Sequence, residues 1–184
     1  MKKILIVSII ILIVAIGAGI AFFMNSMDAA EEQLSPEEYM ETGGSEENAE
    51  EVTEEEKTEL EEVLDGIEKE KLKLNIHEDS TQEEAVKVMH EMVHQKVRAE
   101  EKWGRVPMHP ETIDQVYNVI SNSNFDNKHE LLLIAESWKD GNFDAAHFDH
   151  NYLWSLQGGT IGKAYENLPI NEEIQYIKDS FYEK

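Results

Sequence analysis

The sequence predicts an all-α protein with three parts: an N-terminal transmembrane helix, an acidic disordered stalk, and a compact C-terminal helical domain of about four to six helices. Three observations carry this. Residues 4–23 form an apolar run of membrane-spanning length. The glutamate-rich stretch after it has too few apolar residues to bury a core. From residue 78 onward, apolar side chains recur at the three- and four-residue spacing of amphipathic helices, and no convincing pair of alternating strands is visible.

Lys2 and Lys3 precede an apolar run from Ile4 to Phe23 that is broken only by Ser8. At 1.5 Å per residue such a run spans roughly 30 Å, the thickness of a hydrocarbon core. Residues 1–27 therefore read as a cytoplasmic tip and an uncleaved signal anchor, with the lipid bilayer as partner of residues 4–23. A cleaved signal peptide fits less well, because the apolar segment is too long and no A-x-A pattern stands between Asn25 and Ala30. The positive tip stays in the cytoplasm, so the expected location is the cell membrane, single-pass, with the C-terminal domain extracellular. A formal net charge of −23 argues against nucleic acid as a partner. There is no cysteine, which excludes disulfides, thiolate metal sites and a cysteine nucleophile.

Between Asp28 and Glu70 stand 19 acidic residues against Lys57 and Lys69. Residues 28–52 are expected to be a disordered stalk, extended by self-repulsion. Thr53 with Glu56 makes a capping box, and Leu60, Val63, Leu64 and Ile67 follow at helical spacing. Residues 53–77 thus read as a short amphipathic helix and a linker, with Lys71–Ile76 either an extended arm or part of that linker.

Residues 78–184 are the expected helical domain. Its longest helix is predicted from Ser80 to Trp103, capped by Ser80 or Thr81 and ended by Gly104. Its apolar stripe is Ala85, Met89, Met92 and Trp103, widened by Val86, Val93 and Val97. On a wheel of about 100° per residue, His90 and His94 fall with Glu83 and Glu101 at the border of the polar face. Pro110 opens the next helix, with Ile113, Val116, Tyr117 and Ile120 as its face and Ser121–Asn124 as its end. Leu131–Trp138 is a third, stopped by Gly141. Asp144 is the expected cap of a fourth, which runs to the Gly158-Gly159 pair, and Asn171 of a last one carrying Ile174, Ile177 and Phe181. Trp103, Trp138 and Trp154 are expected as core anchors.

The blocks EKWG (Glu101–Gly104) and DHNYLWSLQGGTIGKA (Asp149–Ala164) bring a resemblance. Over roughly residues 76–182 the chain resembles a family of uncharacterised, membrane-anchored proteins of Gram-positive bacteria. The resemblance implies an extracytoplasmic domain of unknown function and supplies no catalytic residue.

One string carries possible chemistry. His90-Glu91-Met92-Val93-His94 matches H-E-x-x-H, in which a helix turns two histidines to one metal and places the glutamate to activate water. A third ligand is missing from the string, since Val97 stands where the extended motif has glycine. Glu111 or Asp114 on the next helix is the nearest donor, yet Ile113, Val116 and Ile120 should pull that helix onto the Met89 stripe and turn Asp114 outward. A second pair, His147 and His150, lies one turn apart on the fourth expected helix. Two such pairs on facing helices can bind a metal without catalysis. Gly158–Ala164 falls one residue short of a P-loop and has Ala164 where magnesium needs a hydroxyl; Asp140–Asp144 starts like a calcium loop but has Ala145 in place of its glycine.

The resulting expectation is a membrane-anchored binding or interaction module, with a possible cell-surface protein partner and neither catalytic nor metal-binding residues. The alternatives are a zinc-dependent hydrolase of the HExxH metallopeptidase type, with Glu91 as base and His90, His94 and either Glu111 or Asp114 around zinc, or a non-catalytic metal module that also uses His147 and His150.

Overall fold

A computed structural model describes residues 52–182. The transmembrane helix expected within residues 1–27 lies outside the described residues, as does the stalk over 28–52 up to Val52. Among the described residues, no helix is long and apolar enough to cross a membrane.

The described region holds six helices and two short strands. In chain order these are α1 (Glu54–Asp65), α2 (Gln82–Val93), β1 (Val97–Ala99), α3 (Pro110–Asn122), α4 (Lys128–Lys139), α5 (Ala146–Leu156), β2 (Ala164–Asn167) and α6 (Ile170–Phe181). Short 3₁₀ turns, Lys69–Leu72 and His94–Lys96, follow α1 and α2.

Local chemistry starts several of these helices as the sequence predicts. Thr53 and Glu56 form the capping box of α1, and Thr81 and Glu84 that of α2, each satisfying two amide groups that the helix leaves bare. Pro110 stands in the first turn of α3, where its missing N–H costs nothing. The cap of α3 is His109, whose Nδ1 accepts from the Glu111 amide at 3.1 Å. Two expected caps are corrected. Ala145 rather than Asp144 precedes α5, with no side-chain cap, and Pro169 rather than Asn171 precedes α6.

Packing forms two apolar clusters. The larger joins α2 to α5 around Met89, Met92, Val93, Val116, Ile120, Leu131, Ile134, Trp138 and Leu153, all of them essentially free of solvent. The smaller joins α1 to α6 and the turn between α1 and α2: Val63, Ile67, Leu72, Ile174, Ile177 and Phe181. Tyr182 closes this second cluster by donating from its hydroxyl to the Val63 carbonyl at 2.8 Å. Gly66 makes room for it, since a Cβ there would stand 2.0 Å from that hydroxyl oxygen.

Three further corrections concern the middle of the chain. The helix expected from Ser80 to Trp103 stops at Val93. Beyond it the chain turns and becomes strand β1, which pairs antiparallel with β2 in the register Val97↔Asn167, Arg98↔Glu166 and Ala99↔Ala164, with Tyr165 of β2 bulged out of the register. An all-helical domain thus becomes a mostly helical one with a two-stranded ribbon. Trp103 is 72 % exposed rather than core, while Trp138 is buried and Trp154 half-buried.

The break after Val93 has a tertiary cause. Lys96 forms a buried ion pair with Glu173 of α6, Nζ to Oε1 at 2.6 Å, and Gln95 donates to the same carboxylate oxygen at 2.8 Å. The Lys102 ammonium takes the carbonyls of His94 and Val97, both at 3.0 Å, closing the end of α2 with positive charge. A continued helix would forfeit these bonds and strand Glu173 in the interior, and breaking such a buried pair costs about 3–5 kcal/mol.

Because α1 and the turn at Lys69–Leu72 cover Ile174, Ile177 and Phe181, a fragment beginning at Val52 is expected to melt cooperatively with a strongly helical spectrum. One beginning at Ile76 is expected to be less stable by about 2 kcal/mol or more, the burial of one or two aliphatic side chains. Urea titrations followed by circular dichroism check this; equal midpoints and slopes would refute the packing of α1 on α6.

Candidate metal centre

Three histidines converge where α2 packs on α5. His90 leaves the last turn of α2, His94 begins the 3₁₀ turn behind it, and His150 comes from the middle of α5. One ring nitrogen from each lies within 4.8 Å of the others. The ring centroids are 4.6 Å apart for His90 and His94, 4.5 Å for His90 and His150, and 5.4 Å for His94 and His150. His94 and His150 are buried and His90 is half-buried, which corrects the expected position of His90 and His94 at the edge of a solvated face.

Each imidazole has an outer partner. His94 Nδ1 donates to the Gly104 carbonyl at 3.0 Å, which leaves its Nε2 toward the cluster. His150 Nδ1 lies 3.2 Å from Asn151 Oδ1. The orientation of that amide is fixed, because Asn151 accepts from the Ala164 N–H at 2.8 Å and donates to the Ala164 carbonyl at 2.9 Å. His150 therefore carries its proton on Nδ1 and has a free lone pair on Nε2. His90 Nε2 stands 2.9 Å from that lone pair and donates to it, and its own Nδ1 accepts from the Gln157 amide at 2.9 Å. Among the described residues, no buried side-chain nitrogen or oxygen lacks a partner.

Burial also fixes the charge state. Desolvation, then the neighbouring His94, pushes His90 down to about 4, with the Gln157 bond opposing. Desolvation, then His90, pushes His150 down to about 3. His94 is lowered by burial against the Gly104 bond. Neutral imidazole is the form that ligates metals, so all three rings have the charge state a metal requires at neutral pH.

The other sequence candidates lie elsewhere. Asp114 pairs with Lys139 at 2.5 Å on the surface, turned outward as its helix face requires. Glu111 sits in the first turn of α3, exposed, outside the histidine cluster. His147 separates from His150: its backbone N–H and its Nδ1 both meet Asn167 Oδ1, at 2.9 and 3.1 Å, which ties α5 to β2. Glu91 pairs with Lys87 at 2.5 Å and packs against Gly104, on the side of the residue that bonds His94 Nδ1. It is not part of the converging set. Next to His150, Asp149 accepts from Trp138 Nε1 at 2.9 Å, and burial raises its carboxyl to about 7.

The fold and these residues define a small, mostly helical domain built around a three-histidine cluster. Residues 89–178 match the model of a family described as a family of unknown function (DUF6241). The match starts at Met89 and takes in the three histidines together with Gly104, Asn151 and Gln157. No curated protein and no solved structure matches the chain.

Gly104 has φ +83, and a Cβ there would fall 2.3 Å from Glu91 Oε1. Gly104→Ala is therefore expected to lower stability by about 1–2 kcal/mol, the penalty of a left-handed residue with a side chain. Urea unfolding measures it. A neutral substitution would mean that the loop holding His94 is not fixed in this conformation.

Proposed function

We propose that this domain is a metal-binding module that holds one zinc-class ion on Nε2 of His90, His94 and His150. The observation that supports it is the convergence of three neutral imidazole nitrogens, each ring oriented from behind by a hydrogen bond. His94 and His150 point their Nδ1–H groups at carbonyl oxygens, as the imidazoles of metal sites do, while His90 is held by the Gln157 amide. Tetrahedral zinc with Zn–N bonds of 2.0–2.1 Å needs nitrogens about 3.3 Å apart. His90 and His150 stand at 2.9 Å and separate by a few tenths of an ångström on binding, while the whole set lies within 4.8 Å and closes around the ion. Three protein ligands leave a fourth position for water or an exogenous donor.

The binding-module reading is favoured over the hydrolase because of Glu91. A hydrolytic HExxH site needs that carboxylate beside the metal-bound water. Here Lys87 holds it, and it packs behind His94 rather than among the converging nitrogens.

Atomic absorption on the full chain, purified in detergent micelles and dialysed against micromolar zinc, tests the reading. About one zinc per chain is expected, lost in His90→Ala, His94→Ala and His150→Ala, and kept in His147→Ala and Asp114→Ala. The bound ion should also raise the melting temperature, because it binds only the folded chain. Zinc absent from the wild-type chain, or unaffected by His150→Ala, would overturn the reading.

The module is further proposed to sit at the outer face of a cell membrane, anchored through residues 4–23. The apolar run behind Lys2 and Lys3 supports this. Protease added to intact cells or protoplasts should cut within residues 28–52 and release the domain. Cutting only after membrane permeabilisation would reverse the topology.

A further inference from the structure

We propose that Gln157 is a positioning residue that selects between two tautomers of His90 and so sets the affinity of the zinc site; this rests on the metal reading above. The hydrogen bonds around the cluster form one directional chain. Its fixed end is Asn151, whose amide is locked by both backbone groups of Ala164. From there the proton positions follow in sequence: Nδ1–H on His150, then Nε2–H on His90, then an accepting Nδ1 on His90 that faces the Gln157 NH₂. The second hydrogen of that NH₂ group goes to the Leu153 carbonyl at 3.2 Å. Gln157 thus places both of its donors, and in doing so holds the His90 proton on Nε2, the atom a metal needs bare.

Zinc at Nε2 moves that proton to Nδ1. His90 Nδ1–H then faces the NH₂ of Gln157, donor against donor. The amide relieves this by rotating half a turn, so that its Oε1 accepts from Nδ1–H. The rotation breaks the Leu153 bond, and the NH₂ turns to water, which Gln157 can reach because it is exposed at the end of α5. No atom is lost or gained in this exchange; the imidazole proton changes nitrogen and the amide changes face. Gly104 and Asn151, by contrast, present carbonyl oxygens to their histidines already, so His94 and His150 need no rearrangement. His90 alone stands in the wrong tautomer; the lone pair on His150 Nε2 favours it from one side and the Gln157 donor from the other, and only the second is set by an exposed side chain.

Gln157→Glu supplies only acceptors toward Nδ1 and removes the donor that opposes binding. The control is Ser155→Glu, which adds the same charge at an exposed site two residues away, where the native hydroxyl bonds only the Tyr152 carbonyl of its own helix. The experiment uses the full chain in micelles, labelled with ¹⁵N-histidine, and reads two quantities. In metal-free protein, nitrogen chemical shifts report which ring nitrogen of His90 carries hydrogen; zinc affinity is read by competition with a chromophoric chelator. The expected result is Nε2–H in the wild type, Nδ1–H in Gln157→Glu, and zinc held about tenfold more tightly or better by that variant, the scale of outer-partner effects on metal sites. Ser155→Glu should stay within about twofold of wild type, as an exposed charge contributes little. An unchanged His90 tautomer in Gln157→Glu, or an equal gain in Ser155→Glu, overturns the proposal. A wild-type chain that takes up no zinc overturns the metal reading instead. A chain that binds zinc while either its His90 tautomer or its affinity is indifferent to Gln157→Glu overturns the role of Gln157 and leaves the metal reading standing.

Discussion

The buried ion pair between Lys96 and Glu173 is the contact on which the arrangement around α2 depends. Two ions removed from water are costly, and attraction alone rarely repays that cost. Here the carboxylate also accepts from Gln95, and the Lys96 ammonium lies 3.9 Å over the Phe143 ring, so both ions keep several partners. To make these contacts the chain must leave the helix after Val93. That exit sends Val97–Ala99 along β2, where the Lys96 carbonyl accepts from the Leu168 amide at 2.8 Å, just ahead of α6. One polar contact thereby links the end of α2 to α6 and, through the second apolar cluster, to α1.

The histidine cluster lies directly upstream of this exit and inherits its precision. His94 is the last residue before Gln95 and Lys96, so its ring direction is set by the same turn. The loop from Glu100 to Gly104 returns to give His94 a carbonyl, and Lys102 on that loop holds the turn by its own carbonyls. On the other side, Asn151 ties His150 to the first residue of β2. One strand of the ribbon is thus bonded to the partner of His150, and the other follows directly on the turn that begins at His94. Imidazoles buried this way have lost hydration, and hydrogen bonding at the outer nitrogens, with the inner bond between His90 and His150, offsets the loss.

The proposed divalent ion, held by three neutral imidazoles, would keep its full charge in a chain whose formal net charge is −23. The acidic side chains close to the cluster do not spend that charge by ligation. Glu91 is paired with Lys87, and Asp149 is bonded to Trp138 in a dry pocket that favours its protonated form. The proposed fourth position therefore remains open to a donor from outside the chain.

Local signals alone determined a good part of the molecule. Capping boxes at Thr53 and Thr81, Pro110 in a first turn and the periodicity of Ile113, Val116 and Ile120 located the helices, because these effects act within four residues. The same range of vision found the H-E-x-x-H spacing and the second histidine pair. It could not show that His150 joins His90 and His94 while His147 turns to Asn167, since that depends on how α5 rotates against α2. Gln157 and the Gly104 carbonyl gave no signal at all: one is an exposed glutamine, the other a backbone atom. The early end of α2 and the strand after it were equally hidden, because the residues from Gln95 to Trp103 favour helix locally and are overruled by Glu173, 77 positions beyond Lys96. Short-range chemistry set the elements, and only long-range packing, which decides the partners of buried polar groups, set where they end and which of their side chains meet.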